Sequence, residues 1–234
     1  MRRLLTVALV AGLVSLSACG SSGDDDDTAA GGATGTDELV GLFRISPGSC
    51  AGPVASGSYF RMVESGGSLD GGPYVANGDS TCADQTVTVL EAGTDGGLRT
   101  GSYQPQPDPP FDPSGSSASA AVIRPQPFFG VGFGVSTNEQ DPQTATGVPA
   151  PTVHATDGAV TGDLSAFSVS WNGQQFNQGA PKPGGESSSD GNRVTGTHDS
   201  ATQAYTLDWS SPIEGGAFDG FTGVWHLEGT FEPA

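Results

Sequence analysis

The chain has 234 residues, of which 8 are basic and 26 are acidic, and its formal net charge is −18. A polyanion repels phosphate backbones and anionic lipid surfaces, so this balance disfavours nucleic-acid binding and electrostatic docking on membranes. Glycine and proline number 37 and 17, which is typical of a loop-rich fold with a thin core. No apolar stretch reaches the roughly 18 residues that a membrane-spanning helix requires.

The N-terminal residues have the pattern of an export signal. Met1-Arg2-Arg3 is basic, and the apolar stretch from Leu4 to Leu16 is too short to cross a bilayer but long enough for a signal peptide. It ends in Leu16-Ser17-Ala18-Cys19, which resembles the lipobox of bacterial lipoproteins. The resemblance implies that residues 1–18 are removed, that the Cys19 thiol is lipidated, and that acyl chains anchor the protein on the extracytoplasmic face of the cell membrane. The alternative is an ordinary signal peptide that leaves Cys19 as a spare thiol.

Residues 19–37 predict a flexible acidic tether. From Gly20 to Asp37 no hydrophobic side chain is larger than Ala, so this segment cannot bury a core. The run Asp24 to Asp27 does not predict a calcium site, because carboxylates on a mobile chain lack a fixed cage. We expect a solvated spacer, followed by a single β domain over residues 38–234.

Cysteine pairing predicts one disulfide. If Cys19 is lipidated, Cys50 and Cys82 remain as an even pair in an exported protein. The bond would close a loop of about 30 residues and contribute roughly 3–4 kcal/mol on the chain-entropy model. The alternative, thiol catalysis, requires an activating partner, and no His lies within about 70 residues of Cys82 along the chain.

Short apolar runs with a period of two predict β-strands in the first half of the domain. These runs cover residues 39–45, 58–63, 86–90 and 98–103, and the last two are predicted to follow one another across a turn at residues 94–97. Gln104 to Ser119 is rich in Pro and Ser and predicts a long loop.

Phe128 to Val135 is predicted as the most regular strand, with Phe129 on its apolar face and Gly130, Gly132 and Gly134 on the other. A bare glycine face indicates that another backbone or a ligand approaches closely, and we expect a neighbouring protein segment.

The C-terminal third predicts three strands, each with one aromatic face. They are Phe167–Trp171, Tyr205–Trp209 and Trp225–Phe231. Asn172-Gly173 predicts a type I′ hairpin that places Trp171 opposite Gln174 and Val169 opposite Phe176, and a turn at residues 199–202 is expected to join 193–198 to 204–209. No ten-residue segment after the signal has a clear helical period. The sequence therefore predicts an all-β fold, an antiparallel β-sandwich in preference to a closed β-barrel.

The sequence contains no specific catalytic or metal-binding motif. Gly78-Asp79-Ser80 resembles the opening of a class of esterases, but the chain lacks their downstream Asp-x-x-His, so a structural loop is favoured. The three His residues have no metal-ligand spacing, and we expect no metal and no cofactor. His226 and Glu228 share a strand face near Asp208, and these three side chains could perform acid–base chemistry. The alternative is a cross-strand polar pair that serves only stability.

The hairpin from Trp171 to Gly179 is the most function-like segment. Alternation directs Trp171 and Phe176 into the core and leaves Gln175 and Asn177 outside, where their amides could bind sugar hydroxyls. The sequence therefore predicts a lipid-anchored, non-catalytic binding protein of the cell envelope, with a glycan or a protein as its partner. A secreted hydrolase that uses the histidine cluster and a purely structural or protein-interaction domain are the alternatives.

Overall fold

The computed structural model describes residues 35–51, 55–183 and 192–234. Within these ranges the regular structure is β-strand, apart from one short 3-10 helix at Gly216–Phe218. The predicted signal peptide, residue Cys19 and most of the tether lie outside the described residues. The first strand contains Thr36 and Asp37, which the sequence assigned to the tether.

Two antiparallel sheets contain the strands of the described ranges. The strands are β1 (Thr36–Glu38), β2 (Gly41–Ile45), β3 (Tyr59–Ser68), β4 (Gly72–Tyr74), β5 (Thr88–Val89), β6 (Gly97–Arg99), β7 (Gln126–Phe128), β8 (Val131–Thr137), β9 (Thr152–Thr156), β10 (Ala159–Asp163), β11 (Phe167–Trp171), β12 (Gln174–Asn177), β13 (Val194–His198), β14 (Ala204–Pro212) and β15 (Thr222–Pro233). The first sheet is large and strongly curled, in the order β1-β9-β10-β13-β14-β15-β2-β6, and β3 pairs with β15, β4 and β5. The second has the order β12-β11-β8-β7. The predicted all-β fold and antiparallel sandwich are confirmed.

Aromatic side chains between the two sheets form the core. Trp225 of β15 lies near its centre and is 1% exposed. Its ring centroid lies 4.5 Å from that of Phe60 and 5.9 Å from that of Trp209, both in the first sheet, and 5.0 Å from that of Phe167 in the second. Burial alternates along β14, where Tyr205, Leu207 and Trp209 are buried while Thr206 and Asp208 are partly exposed on the other face.

The long loop covers the outer face of the second sheet. Every residue of β11 is buried, so this strand is covered on both faces. A Cβ atom built on Gly134 would lie 2.2 Å from the carbonyl oxygen of Ser119, and the N–H of Gly132 donates to the hydroxyl of Ser116 at 3.1 Å. The expectation that protein packs closely on the glycine face is therefore confirmed at these two positions.

The predicted strand from Phe128 to Val135 is wrong at its N-terminal end, where the structure has a hairpin. Strand β7 ends at Phe128, β8 begins at Val131, and Phe129 and Gly130 form the turn with φ angles of 52° and 75°. Phe129 is consequently exposed and does not belong to the apolar face. The alternation of apolar residues continues through the turn, so the sequence pattern gave no indication that the strand is interrupted there.

The turns predicted at residues 94–97, 172–173 and 199–202 are present, and two of them join strands that pair with each other. The register of β11 with β12 places Trp171 opposite Gln174 and Val169 opposite Phe176, as expected, and β13 pairs with β14 across residues 199–203. Strands β5 and β6 do not pair with each other, because β5 pairs with β3 and β6 pairs with β2. Distant strands therefore take the hydrogen bonds that a local hairpin would have used.

The predicted disulfide is confirmed. Cys50 and Cys82 are bonded, and their Cα atoms lie 5.4 Å apart, within the usual range for this bond. The bond ties the segment after β2 to the loop before β5. Cys82 is buried, whereas Cys50 is partly exposed.

Candidate functional site

The three residues of the predicted acid–base cluster lie together on the outer face of the large sheet. Nδ1 of His226 lies 2.6 Å from Oδ1 of Asp208, and Nε2 lies 3.3 Å from Oε2 of Glu228. Asp208 is directly opposite His226 in the pairing of β14 with β15. The ring of Tyr59, on β3, stacks on the imidazole at a centroid distance of 4.9 Å. The cluster is thus assembled from three adjacent strands.

This arrangement holds the imidazole between two carboxylates. The pKa of His226 is raised, chiefly because the side-chain hydrogen bond to Asp208 favours the charged ring. The charge of Asp208 and the contact with Glu228 raise it further, whereas burial opposes the shift. Oε1 of Glu228 also accepts a hydrogen bond from the N–H of Gly57 at 3.0 Å. Both ring nitrogens are engaged, whereas a general base needs one nitrogen directed toward its substrate.

The histidine cluster predicts a pH-dependent stability. A histidine pKa that is raised on folding stabilises the protein fully below the unfolded value of about 6.5, and this contribution is lost as the pH rises through the folded pKa. We expect the free energy of unfolding at pH 6 to fall by about 1 kcal/mol in His226→Gln, since the partner carboxylates are partly exposed. The difference from wild type should shrink above the raised pKa. Urea denaturation at several pH values measures it.

The control for this experiment is His154→Gln, which alters a histidine on β9 outside the cluster. We expect this variant to keep the pH dependence of the wild-type protein. A His226→Gln variant whose stability follows the wild-type pH curve would contradict the coupling of His226 to Asp208 and Glu228.

Asn177 is not outside the fold, and the prediction of its exposure is wrong. Its side chain is 0% exposed, Nδ2 donates to the carbonyl oxygen of Ser165 at 2.8 Å, and Oδ1 accepts from the N–H of Gly179 at 2.9 Å. Trp171 and Phe176 are buried as expected. Alternation placed Asn177 on the outer face of β12, but loops cover that face at this end of the strand. The buried amide serves the fold and is closed to a ligand.

Gln175 is partly exposed and lies in a polar cleft, which we call the amide cleft. The cleft has a volume of about 520 Å³ and is lined by Gln106, Asn138, Glu139, Gln140, Asp141, Pro142, Ala145 and Gln175. Nε2 of Gln175 donates to Oε1 of Gln106, and the N–H of Gln106 donates to Oδ1 of Asn138 at 3.2 Å. Four side-chain amides therefore converge on one concave surface.

The wall of the amide cleft is fixed by Asp141, which is 3% exposed. Its carboxylate accepts hydrogen bonds from the N–H of Gln143 at 3.1 Å and from the hydroxyl of Thr144 at 2.6 Å. The main chain closes the same loop, where the N–H of Ala145 donates to the carbonyl oxygen of Asp141. Hydrogen bonds within the chain therefore hold the loop that forms this wall.

Sequence reasoning identified Gln175 but missed the rest of the amide cleft. Its lining comes from three separate segments, at Gln106, at residues 138–145 and at Gln175. The polar run Asn138-Glu139-Gln140-Asp141 after β8 was a usable signal. Polar runs after a strand are common in loops, however, and only the fold brings this one to Gln175.

The esterase-like motif is a structural loop, as the sequence favoured. The hydroxyl of Ser80 donates to the carbonyl oxygen of Val87 and accepts from the N–H of Cys82. Nearby, Asn77 is buried, and its Nδ2 donates to Thr88 and to the carbonyl oxygen of Pro127, each at 3.0 Å. These bonds hold the loop against β5 and the hairpin of β7 and β8.

Lys182, the only lysine of the chain, is buried and bonded to main-chain carbonyls. Its Nζ donates to the oxygen of Pro212 at 2.5 Å and to that of Asn177 at 3.3 Å. Burial lowers the pKa of Lys182, against the opposing charges of Glu214 and Asp141. The contacts join the end of β12 to the end of β14, so the ammonium group links the two sheets.

No group of three or more His, Cys, Asp or Glu suited to a metal ion occurs in the described ranges. No helix in the same ranges is long and apolar enough to cross a membrane. Comparisons of the chain with protein-family models, with curated proteins and with solved structures find no significant match.

Proposed function

We propose that the protein is a lipid-anchored, extracytoplasmic binding protein without catalytic activity, and that it binds a glycan in the amide cleft. The observation that carries this proposal is the convergence of Gln106, Asn138, Gln140 and Gln175 on one cleft. Side-chain amides donate and accept hydrogen bonds at once, as sugar hydroxyls do. A volume of about 520 Å³ also lies within the range of small-molecule sites.

Charge favours a neutral glycan over an anionic one. The lining of the amide cleft includes the carboxylates Glu139 and Asp141 and no Lys, Arg or His. The chain as a whole carries a formal charge of −18. A polymer with carboxylate, sulfate or phosphate groups would be repelled, whereas uncharged hydroxyls could accept and donate to the amides.

The lipid anchor in this proposal rests on the sequence Leu16-Ser17-Ala18-Cys19. Lipidation of Cys19 would hold the domain at the membrane, and the residues up to Gly35 would separate the domain from it. Such a tether allows the cleft to reach a polymer near the cell surface while the protein remains attached.

Replacement of Gln175 by Ala is expected to remove most of the thermal stabilisation that a bound sugar gives the protein. A neutral oligosaccharide at 100 times its dissociation constant should stabilise wild-type protein by about 2.7 kcal/mol, which raises the melting temperature by roughly 5–10 °C. In Gln175→Ala, at the same sugar concentration, we expect most of this shift to disappear. Thermal melts with a panel of neutral and anionic oligosaccharides measure it.

The matched control is Gln174→Ala, which removes the same atoms from the neighbouring exposed residue, outside the lining of the cleft. This variant should keep the full shift. Equal loss in both variants, or a shift that is produced by anionic and not by neutral sugars, would contradict the proposed site.

A second candidate function is hydrolysis by the cluster of His226, Asp208 and Glu228. The observation that favours it is the contact of the imidazole with both carboxylates, at 2.6 and 3.3 Å. Proton transfer to a substrate would require the longer contact, with Glu228, to open. Assay of ester and glycoside substrates with wild type and His226→Gln tests this candidate, and equal rates in the two proteins would exclude it.

A further inference from the structure

Phe129 is the most exposed large apolar side chain in the described part of the chain, at 49%. It occupies the first position of a type I′ turn at a φ angle of 52°. Asn, Asp and Gly are preferred at this position, because a bulky side chain is strained at positive φ. Neither the positive φ angle of the turn nor burial of the ring accounts for a phenylalanine at this position.

The turn is held in place by the loop that contains the Gly78-Asp79-Ser80 motif. The N–H of Gly130 donates to Oδ2 of Asp79 at 2.5 Å, and the carbonyl oxygen of Pro127 accepts from the buried amide of Asn77. Phe129 is thus presented to solvent from a supported position.

Phe129 belongs to an aromatic cluster, which we define as Phe128, Phe129, Trp171, Phe218 and Phe221. The ring of Phe218 lies 5.7 Å from that of Phe129, 5.4 Å from that of Trp171 and 5.6 Å from that of Phe221. Phe218 and Phe221 are only partly buried. The apolar cavity behind Phe218 measures about 40 Å³, which leaves little room for a small molecule to be enclosed. A partner would therefore contact this cluster from outside.

Two carboxylates flank the exposed rings. Asp79 adjoins Phe129 through its bond to Gly130, and Asp219 follows Phe218 and accepts from the N–H of Gly215 at 2.6 Å. Both are exposed. Ion pairs within the described ranges involve other acidic residues, and neither of these two has a cationic partner there.

We propose that the aromatic cluster is a docking site for a partner protein that presents an arginine or lysine flanked by apolar residues. A cation over the face of an aromatic ring is attracted by the ring, and the attraction increases beside a carboxylate. The chain itself contains such a contact, where the guanidinium carbon of Arg61 lies 3.7 Å from the ring centroid of Tyr74.

A second copy of the chain is a poor candidate for this partner. The chain has 8 basic residues in total, and of the six that the structure describes, Arg193 is exposed with no ion pair to a described residue, Lys182 is buried, and four arginines form ion pairs. These arginines are Arg44, Arg61, Arg99 and Arg124. Charge complementarity therefore indicates a different, basic protein.

Peptide titration of the full-length protein tests the proposal. The probes are two labelled synthetic heptapeptides, one with alternating leucine and arginine and one with glutamate in place of each arginine. We expect the arginine peptide alone to bind, with an affinity about tenfold lower for Phe129→Asn by fluorescence anisotropy. Asn suits the type I′ turn, so this variant should fold at least as well as wild type.

Two further variants separate charge from apolar exposure. Asp79→Asn combined with Asp219→Asn should weaken the arginine peptide and reduce the salt dependence of its binding. Val40→Asn changes an exposed apolar residue outside the cluster and should leave the affinity unchanged.

Three results would overturn the proposal. They are no binding of the arginine peptide, equal binding of both peptides, and equal affinity in wild type and Phe129→Asn. A neutral oligosaccharide that binds wild type and Gln175→Ala but not Phe129→Asn would also overturn it, and would make the cluster a sugar site. Failure of the glycan proposal is distinguishable, because that proposal depends on Gln175 and not on Phe129.

Discussion

Replacement of Trp225 by Ala is expected to lower the free energy of unfolding by about 3–5 kcal/mol. The side chain is 1% exposed and contacts aromatic rings of both sheets, including Phe60 at 4.5 Å and Phe167 at 5.0 Å. Its loss would leave a cavity where the sheets meet, because the surrounding side chains relax only partly into the space. Urea denaturation of wild type and variant measures the change.

Two companion variants keep this prediction testable if Trp225→Ala does not fold. Trp225→Phe retains an aromatic ring and should lose clearly less stability than the alanine variant. Val224→Ala alters the adjacent residue, which is partly exposed on the other face of β15, and should change stability by about 1 kcal/mol or less. Comparable losses in Trp225→Ala and Val224→Ala would contradict the placement of Trp225 between the sheets.

Removal of the disulfide is the second large effect. The bond between Cys50 and Cys82 spans 32 residues of sequence, and the double variant Cys50→Ala, Cys82→Ala should lose about 3–4 kcal/mol because its unfolded chain is less restricted. The half-buried β5 and the loop before it would also lose their covalent link to the segment after β2. Denaturant titration of wild type and the double variant measures the loss.

Reduction of the wild-type protein supplies the control. Reductant should shift the unfolding midpoint of wild type toward that of the double variant and should leave the double variant unchanged. An unchanged wild-type midpoint under conditions that demonstrably reduce the bond would contradict a stabilising role for the disulfide.

Much of the fold followed from patterns that local chemistry determines. Alternating burial at Tyr205, Leu207 and Trp209 requires one face of β14 to point inward, and Asn172-Gly173 specifies both a turn and a register. The turn at Phe129 and Gly130 escaped prediction because its first residue is unusual at positive φ. The partners of β5 and β6 escaped because pairing between distant strands leaves no periodic signal in a single sequence.

The histidine cluster could be predicted from local patterns, whereas the amide cleft could not. His226 and Glu228 are two residues apart on one strand, so their shared face was predictable, and the proximity of Asp208 followed from adjacent strands. Asn177 was misjudged because alternation gives the face of a residue but not the loops that cover it. The amide cleft requires Gln106, Asn138 and Gln175 to meet across a fold, and no local pattern determines that meeting.

The most direct test of the glycan proposal is nitrogen-15 correlation spectroscopy of the full-length protein, titrated with a neutral oligosaccharide panel. Side-chain amide signals report each Asn and Gln separately. The proposal predicts that signals of Gln106, Asn138, Gln140 and Gln175 move together, while that of Gln174 stays in place. No shift with any neutral sugar, or shifts confined to residues outside the amide cleft, would contradict it.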